Sequence, residues 1–350
     1  MILPASAPES IALCAQSIRD GDLIGLPTET VYGLAANAED DAAVGRIFTT
    51  KGRPAKHPLI VHVSAQDGGR SGATHFASEL PPFAQQLMAA FWPGPLTLIL
   101  PRRSDTASAA AGGQESVGLR CPAHPVAQAL LHALREPPEA QAPVWGLAAP
   151  SANRFGRVSP TCAAHVYDEF GPDLPVLDGG ACTLGIESTI IDCTRGQPVL
   201  LRPGSITRAQ IEQVCGTRLL SNEELSTHAG RAPRASGTLE SHYAPNAQVR
   251  LMDARSLQAA LDMLTPAMAA KQAGAADAPA IAVYARSALK IRTSQIVLRT
   301  MPEQAGQAAQ ELFATLRALD ATGVKLIWVE TPPDTLEWEG VRDRLQRAAA

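Results

Sequence analysis

The sequence predicts an α/β protein in two parts: an N-terminal domain on a mixed, twisted sheet and a smaller C-terminal domain with a Rossmann-like parallel sheet. Three observations carry that prediction. Apolar runs of strand length, such as LIVHV (59–63), LTLIL (96–100) and KLIWVE (325–330), are interleaved with helix-length segments. Several early runs follow one another at hairpin spacing, which implies antiparallel neighbours, whereas strand and helix alternate regularly after residue 247, as parallel crossovers require. A chain of 350 residues also exceeds what one core organises, and THAGRAPRASGTLESHYAPN (227–246) has the Gly, Pro and Ser density of a linker. The expected organisation is a first domain over 1–216, a linker over 217–246 and a second domain over 247–350.

Taken in order, Pro8 can occupy the first turn of a helix that Gly21 closes, and DLIGLP reads as a short strand. Helices are expected over Asp41–Lys51 and Leu80–Phe91, with LIVHV, LTLIL, SVGLR (116–120) and GLAA (146–149) as strands. Ser159 and Pro160 make an N-cap and N1 pair for a helix running through Glu169, before the strands STIID (188–192) and VLLRP (199–203). In the second domain VRLMD, AIAVYA, IVLRT and KLIWVE are strands, and Pro302–Leu319 and EGVRDRLQRAAA are helices. The Ala-rich run 267–280 reads as a surface helix end and loop.

Composition excludes several functions. With 45% hydrophobic and 18% charged residues the chain folds rather than staying disordered. A net charge of -4 argues against a surface devoted to phosphate backbones, so no stable nucleic-acid binding is expected and any positive charge that matters is local. No apolar stretch is long enough for a bilayer, and MILPASAPES lacks the basic and apolar regions of a signal peptide. Six cysteines without a C-x-x-C pair fit neither a zinc site nor a disulfide framework, so a cytoplasmic protein with no metal ligands of its own is expected.

The standard nucleotide motifs are missing, since no Gly-Lys dipeptide and no G-x-G spacing occurs. A different cradle is offered by PTETVYGL (27–34), a polar turn after a strand, and KGRPAKHPLIVH (51–62). Lys51 and Arg53 flank Gly52 at a helix end, which suits a triphosphate and equally fits a solvated helix C-terminus. Thr30 and Tyr32 alone read as turn residues and His62 as a packed side chain; grouped at strand ends, where α/β sites form, they also read as ligand contacts. Arg120 could clamp a carboxylate or serve a structural ion pair. In APSANRFGRVSPT (149–161), Ser151, Asn153 and Ser159 surround Gly156 as a phosphate-wrapping loop would, or as a Ser/Asn turn before a helix cap. Ser188 in GIESTI and Arg202 in LLRPGSI again stand at strand edges.

Together PTETVYGL, KGRPAKHPLIVH, FWPGPLTLIL, VGLRCPAHP, APSANRFGRVSPT, GIESTIID and LLRPGSI resemble, in this order, the YrdC/Sua5 family of threonylcarbamoyl-adenylate synthases. SHYAP (241–245) and the ending GVRDRLQRAA resemble its two-domain Sua5 form. The resemblance implies a YrdC-like first domain and a nucleotidyltransferase that makes threonylcarbamoyl-adenylate and pyrophosphate from L-threonine, bicarbonate and ATP, with Mg²⁺ accompanying the nucleotide. The product would feed a separate tRNA threonylcarbamoyl transferase complex for t6A modification. It further implies that Thr30, Tyr32, His62, Arg120, Ala149 and Ser188 contact threonine. Lys51, Arg53, His57, Ser116, Ser151, Asn153, Ser159, Arg202 and Tyr243 would surround ATP, with Lys51 and Arg53 catalytic and Tyr243 closing over the site from the linker. His57 stands where many relatives carry Asn, and ASGTLESHYAP where many carry a Pro-Gly-Met version. Two readings compete: a tRNA-binding module, disfavoured by the acidic balance, and a hydrogenase-maturation carbamoyl transferase, whose acylphosphatase segment and zinc-finger cysteines do not occur here.

Overall fold

The computed structural model describes residues 1–137, 141–221, 224, 233–237, 242–271 and 279–350, with the backbone alone at 265–271. Part of the expected linker and residues 272–278 of the Ala-rich run lie outside the described residues. The chain divides into two compact units, Met1–Phe155 with Ser159–Thr238, and Gly156–Val158 with Leu239–Ala350.

The first unit runs β1 (Ile2–Pro4), α1 (Pro8–Arg19), β2 (Ile24–Leu26), β3 (Gly33–Asn37), α2 (Asp41–Lys51), β4 (Ile60–His62), α3 (Arg70–Phe76), α4 (Pro82–Phe91), β5 (Leu96–Pro101), β6 (Ser116–Arg120), α5 (Pro125–Arg135), β7 (Leu147–Ala148), α6 (Ala163–Phe170), β8 (Val176–Asp178), β9 (Thr189–Asp192), β10 (Val199–Arg202), α7 (Arg208–Cys215) and β11 (Leu220–Ser221). Among the described residues its sheet is ordered β1-β8-β2-β3-β7-β4-β6-β5-β9-β10-β11. Parallel pairs (β4 with β6, β5 with β9) alternate with antiparallel ones (β5 with β6, β9 with β10), so the sheet is mixed.

Two transverse rows show what each sheet face is for. Ala36, Ala148, Val61, Leu119, Leu98 and Ile191 are partners in successive strands, and all are buried in the main core. One residue along, the row reads Asn37, Leu147, His62, Arg120, Thr97, Ile190 and Arg202. Because successive side chains leave opposite faces of a strand, this polar row lies on the face away from that core. At the β2–β3–β7 end the same face is covered by α1 and α5, whose Cys14, Ile18, Leu130 and Leu134 pack with Ile24, Leu26, Ala35 and Leu147. Further along it carries Ile60, Ile99 and Ile190 against Ala235.

Several elements differ from the sequence expectation. The helix expected to start at Ser159-Pro160 begins instead at Ala163 with Cys162 as N-cap, because the Ser159 hydroxyl is committed elsewhere, to Glu187. PTETVYGL is only partly a turn, since Gly33 and Leu34 open β3, a strand of Gly, Leu, Ala and Asn with no β-branched residue to announce it. The short α3, RSGATHF, lacks a side-chain cap and strong helix formers. By contrast α5 carries Pro125 in its first turn and buries Ala127, Leu130, Leu131 and Leu134 at helical spacing, a pattern that was legible and overlooked.

The second unit contains β12 (Gln248–Met252), α8 (Ala254–Lys271), β13 (Ile281–Ala285), β14 (Ile296–Thr300), α9 (Ala305–Asp320), β15 (Leu326–Glu330), a 3-10 turn (Leu336–Trp338) and α10 (Glu339–Ala349). Its sheet, ordered β12-β15-β13-β14 among the described residues, is parallel throughout, as strands separated by helices require. α9 starts three residues after Pro302, with Gln304 as N-cap. Gly156–Val158 belong to this unit: Ala244 N–H donates to Gly156 O at 2.8 Å and Arg157 pairs with Asp320 at 3.6 Å. No helix among the described residues is long and apolar enough to cross a membrane.

Candidate functional site

The polar row on the outer face of β4, β6, β5 and β9 is the starting point. Arg120 closes β6 and is 3% exposed. Its Nε donates to Gly94 O at 3.2 Å and its Nη1 to Thr30 Oγ1 at 2.7 Å, while Nη2 lies 2.7 Å from Glu29 Oε1. Of the two readings open to Arg120, the ion pair within the chain is the one present here. Thr30 and Glu29 are placed by a tight turn in which Thr28 Oγ1 accepts from the N–H groups of Thr30, at 3.3 Å, and Val31, at 3.2 Å. Burial would raise the Glu29 carboxyl, but the Arg120 charge and hydrogen bonds outweigh it and hold the group below the ordinary carboxylate range.

His62, the register partner of Arg120, is 3% exposed, and its Nδ1 has no hydrogen-bond partner among the described residues. Burial first, and the Arg120 charge second, push the ring down to about 3, so it is neutral at physiological pH. On the other side of Arg120, the Thr97 hydroxyl meets Ser188 Oγ at 2.7 Å. Arg202 then donates through Nη2 to Ser188 O at 2.9 Å and Oγ at 3.1 Å, and through Nη1 to Ser236 O at 3.0 Å. Ser236 Oγ accepts in turn from Arg53 Nη2 at 3.3 Å.

Lys51 and Arg53 owe their positions to the end of α2. Asp40 caps that helix by accepting from Ala42 and Ala43 N–H at 2.9 and 3.0 Å. Gly52, at φ 64, reverses the chain as a left-handed C-cap. Both cations turn inward, 3% and 7% exposed, which rules out the solvated helix terminus that spacing alone allowed. Lys51 Nζ donates to Ser151 O at 2.6 Å and to Asn153 O, tying the 149–161 loop to α2. Burial, then Arg53, push this amine well below its ordinary range, with Glu169 opposing.

The other residues singled out in the sequence have varied places. His57 lies beside Phe155 at 5.7 Å between ring centroids. Asn153 is buried and donates through Nδ2 to Arg154 O at 2.7 Å. Ser116 lines an open groove of about 870 Å³ with Lys56, Gln114, Thr194 and Arg234. Tyr32 is fully buried and fixes the loop after β8, donating to Gly180 O at 2.7 Å and accepting from Gly179 N–H at 3.1 Å. Ala149 is buried and donates its N–H to Ile60 O at 3.0 Å. Ser159, fully buried, donates to Glu187 Oε1 at 2.5 Å. Tyr243 belongs to the second unit, where its ring packs 5.3 Å from Phe313 and beneath the Arg344 guanidinium.

Four participants were missed: Glu29, Thr97, Glu187 and Ser236. The first three lie inside the quoted motifs PTETVYGL, LTLIL and GIESTI, so alternation along each strand could have found Thr97 as the residue facing away from the Leu96 and Leu98 core. Nothing local marks Ser236, whose partners are 183 and 34 residues away.

Buried cations and hydroxyls, beside a His62 nitrogen that has no hydrogen-bond partner among the described residues, define an α/β protein with a polar site built from strand ends on one sheet face. The chain belongs to the Sua5/YrdC family of threonylcarbamoyl-AMP synthases. Residues 16–204 match the family described as "Telomere recombination", and residues 206–350 match "Threonylcarbamoyl-AMP synthase, C-terminal domain". The threonylcarbamoyl-AMP synthase of Pyrococcus abyssi is 36% identical over 97% of this chain and 94% of its own length, and that of Bacillus subtilis is 36% identical over 97% and 92%. The crystal structure of P. abyssi Sua5 complexed with L-threonine superposes with a TM-score of 0.84 at 33% identity, covering 100% of this chain and 97% of the other.

Proposed function

We propose that the chain is an L-threonylcarbamoyladenylate synthase, a nucleotidyltransferase that joins L-threonine, bicarbonate and ATP into threonylcarbamoyl-AMP with release of pyrophosphate, for t6A modification of tRNA. One observation carries the reading. A continuous line of contacts runs from Thr30 through Arg120, Thr97, Ser188, Arg202 and Ser236 to Arg53, so carboxylate-binding and phosphate-binding chemistry meet on one sheet face. The relative whose structure holds L-threonine supports assigning that substrate.

In this reading Thr30, His62, Arg120 and Ser188 hold threonine, flanked by Tyr32 and Ala149, which fix the surrounding loops. The amine, after losing a proton, bonds to the carbon of bicarbonate and water leaves. A carbamate oxygen then attacks the α-phosphorus, the bond to the bridging oxygen breaks and pyrophosphate departs. The protein supplies no nucleophile; alignment and preorganised charge do the catalysis. Arg53 and Arg202 offset charge on the phosphate oxygens, while Lys51 holds the Ser151–Asn153 loop and turns to the phosphates when they arrive. His57, Ser116 and Ser159 border the nucleotide. Magnesium enters as Mg·ATP. Among the described residues no three carboxylate, His or Cys groups cluster as a cation site.

All six cysteines are free, four of them buried, which supports a reducing cytoplasm. A separate tRNA threonylcarbamoyl transferase complex would consume the product. Pyrophosphate release, measured with threonine and bicarbonate omitted in turn, tests the assignment. Release that persists without either co-substrate would mean a different acceptor.

A further inference from the structure

Glu29 is 7% exposed and forms with Arg120 an ion pair in which both side chains are shut away from water. Such a pair seldom adds net stability, because desolvating two charges offsets their attraction, so its presence calls for another explanation. The Thr28 turn presents the carboxylate rigidly. Two neighbouring groups have capacity to spare. Arg120 has five N–H donors, and among the described residues they face Gly94 O, Thr30 Oγ1 and Glu29. The Nδ1 of deeply buried His62, its neighbour across the strand pair, has no partner among the described residues.

The two poles of the pair, negative Glu29 and positive Arg120, are the complement of a free α-amino acid, whose ammonium and carboxylate are joined through one carbon. We propose that Glu29 recognises the α-ammonium of the substrate while Arg120 takes its α-carboxylate, which makes Glu29 a specificity-determining residue. The inference rests on the threonine reading above. Arg120 alone accepts any carboxylate of suitable size. With Glu29 beside it, a ligand that has a hydroxyl in place of the amine leaves a buried carboxylate without a new cation, and is rejected for that reason. The same pairing explains how the charges tolerate the free state, in which each pole neutralises the other.

The test is calorimetric titration of the full chain with L-threonine and with the α-hydroxy acid in which a hydroxyl replaces the amine. Wild type is expected to favour threonine by about tenfold or more, and isosteric Glu29→Gln to bring the two affinities within about twofold, mainly by weakening threonine. Glu29→Asp, which keeps the charge, retains a preference for threonine. Equal binding of both ligands by wild type overturns the proposal, and this arm needs no variant to fold. Equal losses of both ligands in Glu29→Gln also overturn it, since they would mean that Glu29 merely supports Arg120. Wild type that binds neither ligand sinks the threonine reading itself.

Discussion

Removing the positive pole of the site, by Arg120→Met, should expose how its charges are balanced. Three contacts disappear: the 2.7 Å ion pair with Glu29, the 2.7 Å bond to Thr30 Oγ1 and the 3.2 Å bond to Gly94 O. The first dominates, because stranding a buried charge by deleting its partner costs about 3–5 kcal/mol. The pH dependence has a definite sign. In wild type the Glu29 carboxyl is held low, so its contribution is present above the ordinary carboxyl range and is lost as pH falls through the folded-state value. In the variant only the backbone hydrogen bonds from Ala123 and Glu29 still oppose desolvation, the largest influence on the group, so the carboxyl rises, protonation relieves the penalty and the deficit shrinks as pH falls. Adding Glu29→Gln removes the stranded charge and recovers most of the loss. Native-state amide exchange in β5 and β6 is the appropriate assay, since it reports opening of the first unit without treating a two-unit chain as two-state. A deficit below about 1 kcal/mol, one independent of pH, or a double variant less stable than the single one would refute the reasoning.

Three further outcomes are expected. A bound triphosphate opposes the burial and the Arg53 charge that hold the Lys51 amine well below its ordinary range, so ATP binding is expected to take up protons over the pH range between the free and bound values; heats that do not vary with buffer ionisation enthalpy across pH would count against this. Gly204→Ala sets a Cβ 2.5 Å from Thr189 N and 2.8 Å from Ser188 C, backbone atoms that cannot swing aside. It is expected to cost about 1–3 kcal/mol and to weaken threonine binding by displacing Ser188, as thermal unfolding and titration can measure. Finally, His62 stays neutral in the fold down to about pH 3 but titrates near 6.5 when unfolded, so its contribution is present above 6.5 and is lost as pH falls through that window. His62→Gln should flatten that part of the stability profile, and an unchanged slope would show that other groups cause it.

Much of the fold was legible in local pattern. The expected helix over Asp41–Lys51 has the observed bounds; AIAVYA, IVLRT and KLIWVE each contain a strand of the second sheet, and VRLMD overlaps β12 one residue late. Short-range physics governs these segments: Asp40 caps, Gly52 terminates and apolar side chains recur at the right spacing. β3 was not legible, because a Gly-Ala strand forms only when neighbours on both sides hydrogen-bond it. The helix start at Ser159 failed for a related reason, since a buried carboxylate 28 residues away takes the hydroxyl that would have capped it.

By itself the sequence determined the α/β class, the two-part organisation, the family and the residues with chemistry to offer, because motif order and side-chain periodicity are properties of the chain alone. It left Lys51 and Arg53 equally able to be solvated cations, and Arg120 equally able to serve a ligand or an ion pair. Only the tertiary structure decided that the cations are buried, that Arg120 is partnered by Glu29 and that Ser236 joins Arg53 to Arg202. The reason is physical: burial and ion pairing depend on sheet register, which brings β4, β6, β5 and β9 side by side in an order unrelated to their order along the chain.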